Sequence, residues 1–156
     1  MKKLYRLTLS KTRDKIKILF TGFLFLILPG ITFSQVYTTT GAGAANWNNV
    51  AIWLDNGLPA ATFPTDLNST SITISRTVNI NLDLSIDQAT IATGGSIVIN
   101  ATRTLTIADD GTNADDLTVS AGTISGTGFL TVAANATFNH ARNGGTIPLA
   151  TWNTGS

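Results

Sequence analysis

The chain has 156 residues, with ten Lys and Arg against nine Asp, no Glu and no Cys. Seven of the ten basic residues fall within residues 1–17, so residues 35–156 keep Arg76, Arg103 and Arg142 against eight Asp, a net charge of −5. That balance excludes nucleic acid and anionic membrane surfaces as partners, since both demand clustered Lys and Arg, and the lack of Cys excludes a disulfide framework.

Residues 1–17 are basic, residues 18–28 are almost wholly apolar, and Pro29-Gly30 ends the run. Thr32-Phe33-Ser34 then offers small residues at the two positions a signal peptidase reads. This order predicts a signal peptide over residues 1–34, cut before Gln35, and export to the outer cell surface or the medium. Residues 18–33 number 16 and contain the Pro-Gly break, short of the roughly 20 apolar residues of a spanning helix. No membrane span is expected after cleavage.

Residues 35–71 read as an N-terminal capping segment. Asn46-Trp47, Ile52-Trp53, the turn Asp55-Asn56-Gly57, Pro59 and Phe63-Pro64-Thr65-Asp66 follow one another there. A stack of strands exposes an unpaired apolar end, and bulky aromatics in front of the first repeat suit a cap over it. A buried Trp removes about 200 Å² from water. The functional alternative makes Trp47 and Trp53 a ligand-binding platform, on whose faces sugar rings stack.

Residues 72–156 read as the repeats. Apolar pairs recur with one residue between them: Ile72/Ile74, Val78/Ile80, Leu84/Ile86, Ile97/Ile99, Leu105/Ile107, Leu117/Val119 and Leu130/Val132. Alternation of this kind puts the apolar members on one face of short strands, with Thr, Ser or Asn on the other. Gly, Asn and Asp fill the gaps and suit turns. Val78, Ile97, Leu117 and Phe138 follow at steps of 19, 20 and 21 residues, and Leu84 to Leu105 is 21. A period near 20 with several strands per repeat predicts a solenoid of about four coils. Inward ladders are expected of Val78, Ile97 and Leu117 with Phe138, and of Leu84 with Leu105. An antiparallel β-sandwich of seven or eight short strands is the rival, because the strand spacing fits it too.

The arrangement Asn46-Trp47, Trp53, Gly57-Leu-Pro59, Pro64-Thr-Asp66 and Ile72-Thr-Ile74, followed by Gly94-Gly95-Ser-Ile97 and Thr104-Leu-Thr-Ile107, resembles the opening of large exported adhesin-like proteins of Gram-negative bacteria. The resemblance covers roughly residues 40–154. It implies a right-handed parallel β-helix of the pectin-lyase-like kind and a secreted or surface-held role in binding or structure, with polysaccharides or cell-surface glycans as partners. Members of that group are often much longer. The present chain stops soon after a new apolar pair, Ile147 and Leu149, and is expected to be a piece of a longer protein.

Three kinds of chemistry are weighed on the polar residues. In the run 109–116, Asp109, Asn113 and Asp115, with the Gly111 backbone, alternate as oxygen ligands for Ca²⁺ would. A helix-flanked calcium loop has Gly sixth and Glu twelfth, whereas here Gly is third and Ser120 twelfth, so a solvated bulge between Ile107 and Leu117 is the other reading. For a polysaccharide lyase or glycoside hydrolase, Asp83 and Asp87, with Asp109, Asp110 and Arg103 one coil on, are the candidate acids and base. His140 is alone and no convergent acid–base–nucleophile set appears, so no catalytic residue is assigned. For an ice-binding face, Thr104 and Thr106 would need counterparts in successive coils. One period away stand Asp83 and Ser85, then Ser125 and Thr127, which do not repeat them. The expectation is therefore an all-β, non-catalytic, exported protein with a polar Thr/Asn/Ser face.

Overall fold

A computed structural model describes residues 34–112, 114–146 and 148–156. The expected signal peptide, residues 1–34, lies outside the described residues apart from Ser34, and Asn113 and Ile147 lie outside them too. Four strands come first, β1 (Val36–Thr39), β2 (Ala45–Asn46), β3 (Trp53–Asp55) and β4 (Leu58–Pro59). Then follow β5 (Ser71–Ile74), β6 (Thr77–Ile80), β7 (Leu84–Ile86), β8 (Ala89–Ile91), β9 (Ser96–Ile99) and β10 (Thr104–Ile107). The last are β11 (Leu117–Val119), β12 (Thr123–Gly126), β13 (Phe129–Val132), β14 (Phe138–Asn139) and β15 (Ala150–Trp152). Among the described residues there is no α-helix, only a 3-10 turn at Val50–Ile52, where Ala51 N donates to the Asn49 side chain. None of their helices is long and apolar enough to cross a membrane.

The strands form three sheets, ordered β14-β11-β8-β5-β1-β3-β4, β12-β9-β6-β2 and β15-β13-β10-β7. Every pairing is parallel except β1 with β3 and β3 with β4. The chain is thus all-β with parallel sheets. The antiparallel sandwich is excluded, because hairpin-joined strands would pair antiparallel. From β5 to β13 the chain visits the first, second and third sheets in that order on every pass.

All seven apolar pairs lie on strands with both members buried, and they form the core with the cap aromatics. Burial of each such side chain contributes about 1.5–3 kcal/mol. Register confirms Val78 beside Ile97, Leu84 beside Leu105 and Leu117 beside Phe138. The step from Ile97 to Leu117 is corrected: Ile97 pairs with Ile124, and Leu117 follows Ala89 in a different sheet. The reason is the length of one corner. Between the third sheet and the first, β7 and β8 are joined by residues 87–88, but β10 and β11 by residues 108–116. The insertion stretches that pass to 27 residues in the second sheet, Ile97 to Ile124, so a fixed period of 20 slips from one sheet to the next. By contrast, the corner from first to second sheet is tight. A Cβ on Gly122 would come within 2.3 Å of the Gly95 carbonyl oxygen, and one on Gly95 within 2.1 Å of that of Ile74.

The segment 35–71 is more than a cap placed before the repeats. β1 pairs in parallel with β5 and β2 with β6, so the first pass begins inside it. It departs from the later passes in its 3-10 turn, its β3–β4 hairpin and the strandless stretch 60–70, and it sets no strand in the third sheet. That hairpin turns at Asn56-Gly57, both with positive φ (50° and 83°), as a tight two-residue loop requires.

Candidate functional site

Trp47 and Trp53 are 0% and 1% exposed. Their rings pack 4.8 Å apart, and Tyr37 meets Trp53 edge-on at 6.4 Å. Trp47 Nε1 donates to the Pro64 carbonyl at 2.9 Å, and Trp53 Nε1 to the Trp47 carbonyl at 2.8 Å. The platform reading of these two residues is therefore corrected. With both indoles enclosed and both N–H groups used internally, no face is left on which a sugar could stack. They close the core.

The polar residues gather at the corner where the third sheet passes to the first. On β7, Leu84 and Ile86 point inward, so alternation turns Asp87 outward. It is nevertheless only 8% exposed. The two ends of the loop that follows β10 form a roof fastened on both sides of it: Ala108 N donates to the Ile86 carbonyl at 2.8 Å, and Ala89 N to the Asp116 carbonyl at 2.9 Å. Gln88, in a left-handed backbone conformation (φ 45°), extends its amide to Asp110 Oδ2.

Inside the roof, Asp109 Oδ1 accepts from Gly111 N at 2.8 Å, and Asp110 Oδ1 accepts from Thr112 N and Oγ1, each at 2.7 Å. These last bonds hold the Asp110 carboxyl below the usual carboxylate range. Asp116 is 1% exposed; its Oδ1 accepts from Asp110 N at 3.2 Å and its Oδ2 from Thr137 N at 2.7 Å. One carboxylate oxygen each of Asp109, Asp110 and Asp116 lies within 4.8 Å of the others. Asp87 differs from all three, because its Oδ1 is buried with no hydrogen-bond partner. Burial first, then the charges of Asp66, Asp110 and Asp116, push its carboxyl up to about 6.

The expected calcium ligands are thus partly corrected. Asp109 belongs to the cluster. Asp115 does not: its Oδ2 accepts from Asn139 Nδ2 at 2.6 Å and from Thr118 Oγ1 at 3.2 Å. Asn113 lies outside the described residues. Asp110 and Asp116 join Asp109 instead. Sequence spacing hid them, because alternation along the loop selects 109, 113 and 115, whereas the turn folds the carboxylates of 109, 110 and 116 together.

Of the candidate catalytic groups, Asp109 and Asp110 come together, while Asp83, Arg103 and His140 stand apart from them. Asp83 and Asp87 stand before and after the extended β7, about 13 Å apart along the strand at roughly 3.3 Å per residue. Paired carboxylates of glycoside hydrolases lie about 5–9.5 Å apart. Asp83 Oδ1 instead accepts from Thr104 N at 3.0 Å. Arg103 precedes β10 while the acids follow it. His140 Nε2 bonds the Gly144 carbonyl at 3.1 Å. Thr106 has Ser85 and Thr131 beside it, not Ser85 and Thr127, and Thr104 has Phe129; the apolar ring breaks the Thr-x-Thr array an ice-binding face would need. No protein-family model, curated protein or solved structure matches this chain.

Proposed function

We propose that the chain is an exported, non-catalytic surface protein, adhesin-like in build, whose outward Thr, Ser and Asn columns bind polysaccharide. Its architecture in this reading is a right-handed parallel β-helix. Three parallel sheets visited in constant order support the helix, and parallel crossovers are right-handed almost without exception. Export rests on the order of basic, apolar and small residues in 1–34.

The observation that carries the binding role is a column across the first sheet. Strand register sets Thr38, Thr73, Thr90, Thr118 and Asn139 side by side, each on the outward face of its strand. A second column, Ser85, Thr106, Thr131 and Thr151, runs across the third sheet. Neighbouring strands lie about 4.8 Å apart, so hydroxyls recur at that spacing. Each both donates and accepts, which matches the hydroxyl-rich faces of glycans.

The test is a panel of polysaccharides scored for binding and for new reducing or unsaturated ends. Binding without cleavage is expected. Thr90→Val with Thr118→Val removes two hydroxyls while keeping shape, and Val98 already occupies an outward position beside Asn79 and Ser125. Loss of about two net hydrogen bonds should weaken binding roughly tenfold or more in a protein that still melts normally. Unchanged affinity would remove this face from the reading. New chain ends would replace it with a lyase or hydrolase.

A further inference from the structure

Two Asn-Gly pairs occur in the chain, Asn56-Gly57 and Asn143-Gly144. A glycine has no Cβ to shield its backbone nitrogen, so that nitrogen can attack the side-chain amide of the preceding Asn. The fold treats the two pairs in opposite ways. Asn56 sits in the tight turn between β3 and β4. Its backbone N donates to the Val36 carbonyl at 2.9 Å, and its Nδ2 donates to the Ser34 carbonyl at 3.0 Å and to Asp55 Oδ1 at 2.9 Å. Backbone and amide are both held, and Gly57 N reaches the Asn56 side chain only if the hairpin opens.

Asn143 lies in residues 140–149, which join β14 to β15 without a strand between them, and it is exposed. Among the described residues, no N–H or carbonyl from Arg142 to Thr146 bonds to another backbone group. The loop is tied by the side chains beside Asn143 and not by Asn143 itself: His140 Nε2 meets the Gly144 carbonyl at 3.1 Å, and Arg142 donates to the Gly122 carbonyl. A Cβ on Gly144 would meet nothing within 4 Å, so the space around the attacking residue is open. A Cβ on Gly145 would come within 3.0 Å of the Arg142 guanidinium. That places a positive charge beside the peptide whose nitrogen must lose a proton, and favours the loss.

We propose that Asn143 is a site of spontaneous deamidation, driven by attack of Gly144 N on its side-chain amide. The Gly144 N–H gives up its proton, a bond forms between Gly144 N and Asn143 Cγ, and the Cγ–Nδ2 bond breaks with release of ammonia. Water then opens the cyclic imide. Opening at the side-chain carbonyl leaves Asp; opening at the backbone carbonyl leaves isoaspartate, with the main chain rerouted through Cβ and Cγ. No oxidant, metal or enzyme enters the balance. Either product adds a negative charge next to Arg142, in a stretch, 35–156, whose net charge is −5 before the reaction. This inference is independent of the polysaccharide reading and survives its failure.

The experiment incubates the full chain in mildly acidic and mildly alkaline buffer, folded and in urea. Both Asn-Gly peptides are then followed by mass spectrometry, with isoaspartate detected by enzymatic methylation. In the folded chain Asn143 should convert at least about tenfold faster than Asn56, which reacts only through local opening. In urea the two rates should converge. Alkali should speed the reaction, because the attacking nitrogen must be deprotonated. Gly144→Ala puts a methyl group beside that nitrogen and should slow conversion at Asn143 several-fold, with the melting temperature read alongside to show that the fold is kept. Equal rates at the two sites in the folded chain overturn the proposal, as does an Asn143 that reacts only in urea. Conversion to Asp alone, without isoaspartate and at a rate indifferent to alkali, would be direct hydrolysis and overturns attack by Gly144 N.

Discussion

In the N-terminal cap, two indoles are enclosed and each N–H reaches a carbonyl, Trp47 to Pro64 and Trp53 to Trp47. At the roofed corner, Asp87 is enclosed as well, yet its Oδ1 reaches nothing and its neighbours repel it. Both regions interrupt the regular passes through the three sheets, and both bury polar atoms. The cap satisfies them, so the apolar area of the rings counts fully toward stability. The corner leaves a charge uncompensated, which lowers stability. Paired burial lets an insertion add to stability; unpaired burial makes it a cost.

The largest expected effect lies on the cap side of this contrast. Trp53→Ala removes an indole packed against Trp47 and Tyr37 and frees the Trp47 carbonyl. Truncation of a buried Trp costs about 3–5 kcal/mol, and urea unfolding should show it. A loss below about 1 kcal/mol would mean the cap does not close the core.

The corner should show its cost through pH. The folded protein holds a proton on Asp87 up to about pH 6, while the unfolded chain releases it near the ordinary 3.8. A carboxyl whose folded value is raised lends its full stability below the unfolded value and loses it as pH rises through the folded one. Stability should therefore fall from about pH 4 to pH 7, by about 1–3 kcal/mol. Asp110 is shifted the other way, so its contribution is lost only below its unfolded value, outside this window. Urea midpoints across the range test the slope, and Asp87→Asn should flatten it. A slope that persists in that variant belongs to another group.

Much of the fold was legible because a buried face on a short strand demands alternation, and each of the seven apolar pairs met that demand. Two strand positions escaped it. Ala89 is too small to signal a buried site, and Ile124 stands alone among Thr, Ser and Gly, so β8 and β12 went unread. Without them the passes β8–β10 and β11–β13 each lost a strand, and the nine residues of 108–116 were absorbed into an average period. The acidic cluster was legible only as a loop, because which of its carboxylates converge is set by the turn that bonds Asp110 N to Asp116 Oδ1. The indoles posed the opposite difficulty, since exposure is not written in residue type.

The smallest expected effect separates charge from placement. Asp115 is an acid of the same loop, one residue from Asp116, but it is exposed and bonds outward to Thr118 and Asn139. If net acidity alone burdened this corner, removing any of its carboxylates would relieve the protein about equally. If enclosure is the cause, Asp115→Asn should change stability by less than about 0.5 kcal/mol, as surface substitutions do, because water screens its charge and the Asn oxygen still accepts the bonds from Thr118 and Asn139. Asp87→Asn, measured beside it at pH 7, should raise stability. Equal gains in both variants would trace the cost to the acidity of the loop; a gain confined to Asp87→Asn would trace it to the buried carboxylate oxygen that the fold leaves unpaired.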